Sequence, residues 1–130
     1  MKFTILRQLT HSELGMFHAY RDGREGSKQR AINFDWDVVD RVFPSAKDTD
    51  RILINCHCLE DETTIIEKPQ WLKRQDKNWR LEGNCPKSPY FKFVEPGVLF
   101  AMSVDSSMSP ATAAWVVIPK NHPARESIIN

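Results

Sequence analysis

The sequence predicts a mainly β fold with two short helices, its strands curled into a β-barrel or partly open barrel. Two observations carry this. Seven short segments place apolar residues at strand spacing, with Gly-, Pro- and Ser-containing turn signals among them. Only two segments show helical spacing, and both are short, which argues against a parallel α/β sheet.

Taken in order, Lys2 to Leu9 (KFTILRQL) alternates like a strand. Thr10 and Glu13 make a capping-box pair, in which Thr10 caps and Glu13 reaches back. Leu14, Phe17 and Arg21 follow at helical spacing, so a short helix is predicted from His11 to about Tyr20. Gly23 and Gly26 break it, leaving RDGREGSK as an exposed loop. Arg30 to Phe34 predicts a second strand. Asp35 is placed to cap a helix over Trp36 to Phe43, which Pro44 and Ser45 stop. Strands are then predicted at Arg51 to Leu59, Thr63 to Lys68, Lys77 to Glu82, Gly97 to Val104 and Ala113 to Ile118. Trp36, Trp115, Val98, Phe100, Met102, Val116 and Ile118 are assigned to the core.

A chain of 130 residues predicts one domain over residues 1–130. At that size it buries about two-thirds of its unfolded surface and needs no metal or disulfide staple. No apolar run approaches the ~20 residues of a membrane span. The N-terminal MKFTILRQLTHSE lacks an apolar core and a small-residue cleavage site, so a cytoplasmic location is expected. Three cysteines, an odd number, argue against a disulfide framework. In RILINCHCL, Ile52, Ile54, Cys56 and Cys58 share one strand face and His57 takes the other, so the thiols are read as core and no metal site is expected.

The formal net charge of +1 hides a strong asymmetry. Between Glu67 and Lys92 there are seven cations (Lys68, Lys73, Arg74, Lys77, Arg80, Lys87, Lys92) against three anions. Trp71, Trp79, Tyr90 and Phe91 are interleaved with them. Between Asp35 and Glu62 the balance reverses, eight acids to three bases. Cations mixed with flat rings and amides suit a polyanion that presents base edges. A plain solvated face of a β-hairpin suits the same composition. A fold that gathers the basic sections on one side, with the acidic section behind, orients on a phosphate backbone without a high net charge.

Catalytic constellations are missing from the sequence. No Glu-x-Lys is present for a PD-(D/E)xK nuclease, and none of the four histidines begins His-x-Lys. There is no GxxxxGK[ST], GxSxG, HExxH or GxGxxG. His18 reads as a surface or capping residue. Cys85, near Lys87, has no histidine beside it in sequence. No catalysis and no cofactor are expected.

The order of segments resembles a known family. GSKQRAINFDWDVVDRVFPS is a polar arm, a strand and a short helix with an apolar-Phe-Pro-Ser stop. RILINCHCLEDETTIIEK is a hydrophobic strand and hairpin. KNWRLEGNCPKSPYF is a basic arm and a Gly/Pro turn, and GVLFAMSVDSSMSPATAAWVVI is two apolar strands joined by a polar loop. Over about Gly26 to Ile118 this resembles the DNA-binding pseudobarrel of the N-terminal effector domain of EcoRII-type restriction endonucleases, a fold shared by plant B-three domains. The resemblance implies an open seven-stranded-type β-barrel with a core over about residues 26–118; the weakly patterned residues 119–130, after the last predicted strand, read as a tail. It also implies two arms that grip duplex DNA in the major groove. The first arm falls at Gly26 to Asn33, with Ser27, Lys28, Gln29, Arg30 and Asn33 as contacts. The second falls at Trp71 to Arg80, with Trp71, Lys73, Arg74, Gln75, Lys77, Asn78 and Arg80. The chain departs from the family at GNCPKS, which replaces a more basic turn and weakens the case for Asn84 and Lys87. Its N-terminal helix, Thr10 to Tyr20, has no clear counterpart.

Residue chemistry assigns roles beside that resemblance. Arg30, Arg74 or Arg80 suits guanine, and Gln29, Gln75, Asn33 or Asn78 suits adenine. Lys28, Lys73, Lys77 and Lys87 suit phosphates. Trp79 reads as packing beneath the arm. The expectation is sequence-specific recognition of double-stranded DNA, as the target-recognition part of a restriction-type or other defence system whose nuclease is a separate domain or subunit. Two rivals stand against it: a subunit that docks an acidic protein partner, and an RNA or single-strand binder that stacks bases on Trp71, Trp79 and Tyr90.

Overall fold

The computed structural model describes residues 2–17, 31–60, 63–83, 89–107 and 110–123. Its strands are β1 (Lys2–Gln8), β2 (Ile32–Phe34), β3 (Arg51–Leu59), β4 (Ile65–Arg74), β5 (Trp79–Gly83), β6 (Leu99–Asp105) and β7 (Ala111–Ile118). They form one seven-stranded sheet in the order β1-β6-β7-β3-β4-β5-β2, curled into an open half-barrel. The ladders are antiparallel except that between β3 and β7, where Ile54 faces Ala111 and Cys56 faces Ala113. The sheet is therefore mixed, mainly antiparallel and open between its edge strands β1 and β2.

Alternation along each strand decides which residues enter the core. On β4 and β5, Leu72 and Leu81 are Cα partners and both fully buried. On β6 and β7, Met102 faces Trp115 and both are buried. Phe17 and Phe91 complete the core, their ring centroids 5.2 Å apart and those of Phe91 and Trp115 6.0 Å apart. Each such ring pair adds about 0.5–1.5 kcal/mol beyond the area it buries. Val116 is a correction. Its neighbours Trp115 and Val117 point inward, so the period of two turns Val116 outward, where it is 43% exposed.

One α-helix is present among the described residues, α1 (Trp36–Val42). Asp35 occupies its N-cap position, but its side chain makes no capping hydrogen bond. The helix predicted from His11 is shorter than expected. Glu13–Met16 forms a single 3-10 turn, and Phe17 is already extended at φ −90°, ψ 119°. The capping box forms by half. Glu13 Oε1 accepts from the Thr10 amide at 3.1 Å, but the Thr10 hydroxyl donates to that same oxygen rather than capping the turn. Burial of Leu14, Met16 and Phe17 against the barrel overrides a continued helix. Residues 18–20 of that prediction lie outside the described residues.

The strand predicted to end at Lys68 continues through Pro69 to Arg74. Proline ends central strands because it donates no ladder hydrogen bond. Among the described residues the β4–β5 ladder runs from Gln70 to Arg74, while Pro69 pairs with Asn55 on the β3 side. Before β6, Pro96 and Gly97 make the turn. The Val98 amide donates to the Glu95 carbonyl at 3.2 Å, and Gly97 has φ +97°, a conformation that favours glycine.

Candidate nucleic-acid interface

The second predicted arm is a hairpin of the sheet itself. β4 ends at Arg74, β5 begins at Trp79, and the Gln75 amide closes the turn on the Asn78 carbonyl at 2.7 Å. What remains described of the first arm, Asn33 on β2, pairs directly with β5. Asn33 faces Arg80, Arg80 faces Lys73, and Lys73 faces Arg51 on β3. Cross-strand partners share a face. Buried residues flank Asn33 and Arg80 on both sides, buried Leu72 precedes Lys73 and half-buried Ile52 follows Arg51, so by strand parity the row Asn33–Arg80–Lys73–Arg51 lies on the outer face of the sheet. With strands about 4.8 Å apart, four side chains in a row span about 14 Å.

Three cations stand side by side in that row. Like charges directly opposite each other destabilise a sheet. Glu82 offsets part of this through an ion pair with Lys73 at 3.1 Å. Trp71 sits one pair further along the outer face, 38% exposed, with the Arg51 guanidinium 5.3 Å from its ring centroid. Asn33 Oδ1 and Arg80 Nε are buried atoms that make no hydrogen bond. An acceptor and a donor on facing residues are thus left unpaired.

Arg74 belongs to a different surface. It is the Cα partner of Trp79, whose ring is buried in the core, and so follows the inner parity at the barrel end. Its guanidinium lies over the Trp36 ring of α1 at 4.3 Å. Arg74, Trp36, Trp79, Asp40, Ala46 and Lys47 line a cavity of about 160 Å³ there. The Arg74 amide also donates to the Asp50 carbonyl at 2.8 Å. Asp40 and Asp50 therefore lie beside the hairpin rather than behind it. The Arg51–Lys73 register accounts for Asp50, because it draws the residues just before β3 alongside the end of β4.

Gln75 and Lys77 are exposed on the turn, and Asn78 is half-buried with its side-chain carbonyl unpaired. Trp79 is 1% exposed, the packing role expected of it. Ser27, Lys28, Gln29, Arg30 and Lys87 lie outside the described residues, as do His18, Asn84 and Cys85.

Two participants were not singled out from the sequence. Arg51 was counted only as a base in the acidic section, although its outward parity on β3 was readable. Trp36 was assigned wholly to the core, yet it is half-buried beneath Arg74.

The Cys-His-Cys segment sits on β3 as its alternation indicates. Cys56 and Cys58 face the core. Burial pushes the Cys56 thiol up to about 12 and the Cys58 thiol up to about 11. Both are protonated at neutral pH and behave as small hydrophobes. His57 lies on the outer face, with Nε2 3.1 Å from Glu67.

No protein-family model matches the chain, and no curated protein matches it. The chain is an open, mainly β half-barrel with one α-helix among the described residues. No helix among those residues is long and apolar enough to cross a membrane.

Proposed function

We propose that this chain is a sequence-specific double-stranded DNA-binding domain of the pseudobarrel kind found in EcoRII-type effector domains and plant B-three domains. It serves as the target-recognition part of a restriction-type or defence system. The observation that carries the reading is the register that sets Arg80, Lys73 and Arg51 side by side. Three like charges in adjacent strands cost the fold stability, and a phosphate backbone relieves that cost on binding. The row of about 14 Å is comparable with the ~12 Å width of a major groove.

In this reading Arg80 and Asn33 address base edges, helped by Gln75 and Asn78 at the hairpin end, while Arg74 braces the hairpin against Trp36. Lys73, Lys77 and Arg51 hold phosphates and set the register. Trp71 packs beneath Arg51 at the rim. The segment 26–30, leading into β2, supplies the remaining first-arm contacts.

A salt titration of duplex binding, with single-stranded DNA, RNA and heparin as competitors, tests the proposal. A duplex preference whose affinity falls steeply with salt supports it. Affinity that is flat with salt, or heparin competing as well as duplex, overturns it. Preference for single strands moves the reading to base stacking on the exposed Trp71.

A further inference from the structure

Glu13 is the buried charge that the interface does not use directly. It is fully buried. Arg7 donates to it from Nε at 2.6 Å and from Nη2 at 3.1 Å. The Thr10 amide and hydroxyl donate at 3.1 and 2.9 Å. The fifth donor is the backbone amide of Asn33, at 2.9 Å. Arg7 lies on β1 and Asn33 on β2, the two edges of the open sheet. One carboxylate therefore links both edges.

The link is placed where β2 needs it. β2 is three residues long and makes three pairs with β5. The Asn33 amide is not spent on that ladder; it faces the open seam. A buried ion pair contributes weakly to stability, because desolvation consumes most of its attraction. What it adds is a fixed partner with a fixed direction for one particular amide. Arg7 supplies the charge facing the carboxylate, while Thr10 and Asn33 supply neutral donors.

We propose that Glu13 is a positioning residue for the duplex interface: by holding the Asn33 amide against the β1 edge, it sets edge strand β2, and with it the Asn33–Arg80 pair, at the register that binding requires. This inference rests on the proposed DNA-binding reading of the Asn33–Arg80 row.

Duplex affinity and amide hydrogen exchange, measured together, test it. The proteins are wild type, Glu13→Gln and Ile5→Val, under conditions where circular dichroism shows each folded. Ile5 lies on β1 with its side chain in the core and makes none of the hydrogen bonds to Glu13, so Ile5→Val provides a loss of stability that leaves the Glu13–Asn33 bond in place. Glu13→Gln is expected to speed exchange at Asn33 about tenfold or more and to weaken duplex binding about fivefold. Ile5→Val is expected to leave affinity within about twofold. A merely structural role moves stability in both variants and affinity in neither. Wild-type affinity in Glu13→Gln despite faster Asn33 exchange overturns the inference, and so does unchanged Asn33 protection. If Glu13→Gln does not fold, Arg7→Lys, which keeps the charge but loses the two-pronged contact, is judged by the same two readouts. A wild-type protein without salt-dependent duplex binding overturns the interface itself, a result read before any variant is compared.

Discussion

Asn33 stands directly opposite Arg80 across the β2–β5 ladder. The pairing joins residues predicted to lie on two separate arms and makes them neighbours on one face. Arg80 in turn faces Lys73, and Lys73 faces Arg51. A surface built this way is carried by the sheet, so its spacing is as rigid as the ladder beneath it.

Truncating this row separates readout from positioning. Arg80→Ala is expected to cost about 1–3 kcal/mol of duplex binding and to relax discrimination at one base pair. Lys73→Ala is expected to weaken all duplexes alike and to lower the slope of log affinity against log salt by about 1. Fluorescence anisotropy across a panel of duplexes and salt concentrations measures both. Equal, sequence-blind losses for the two variants contradict the assignment of Arg80 to a base.

The contact of Arg74 with Trp36 is a local brace between hairpin and helix. A guanidinium over an indole face at an exposed site contributes about 0.5–1 kcal/mol. A double-mutant cycle with Arg74→Ala and Trp36→Leu, read by urea unfolding, is expected to return a coupling of about that size. Additive single-variant effects would show that the 4.3 Å contact adds nothing to stability.

Gln70 is a polar residue spent inside the barrel. It is fully buried, and its Oε1 accepts from Trp115 Nε1 at 2.9 Å, joining β4 to β7. Its own Nε2 has no partner. Gln70→Leu forfeits the bond and exchanges one orphan donor for another, at an expected cost of about 1 kcal/mol in urea unfolding. Adding Trp115→Phe removes the orphan indole donor, so the double variant is expected to lose less than the sum of the singles. A sum or more would assign the pair to packing alone.

Glu13 makes the stability of the fold sensitive to acid. Burial works to raise its pKa, but the hydrogen bonds from Arg7, Asn33 and Thr10 and the charge of Arg7 outweigh burial and hold it below the ordinary 4.5. The unfolded chain then binds this proton more readily than the folded one. The contribution of Glu13 is complete above pH 4.5 and is lost as pH falls through the lower folded value. Denaturant unfolding from pH 6 downward measures this, with Glu13→Gln as control. The wild-type advantage over Glu13→Gln is expected to shrink across that acid window. An advantage that stays constant would exclude proton linkage through Glu13.

Strand positions were largely readable because a strand with one buried face carries its own period. β3 is bounded as RILINCHCL indicates, and the inward set of Ile54, Cys56 and Cys58 follows from parity. Val116 shows the weakness of that reading: a run of apolar residues hides which parity is inward, and the structure chose Trp115 and Val117. The hairpin of β4 and β5 was legible as a basic segment but not as a continuous ladder, because Pro69 reads as a stop until its pairing with Asn55 on β3 is known.

The sequence by itself determined the mainly β class, α1 with its Pro44 stop, the core placement of Cys56 and Cys58, and the concentration of cations between Glu67 and Lys92. These follow from local periodicity, turn chemistry and composition, which act over a few residues. The tertiary structure alone decided that Asn33, Arg80, Lys73 and Arg51 form one row, that Arg74 leaves it for Trp36, and that Glu13 reaches beyond its capping box to bind both sheet edges. Those relationships depend on strand order and register. Both are set by which apolar faces bury together across the whole chain, and that is a property of no single segment.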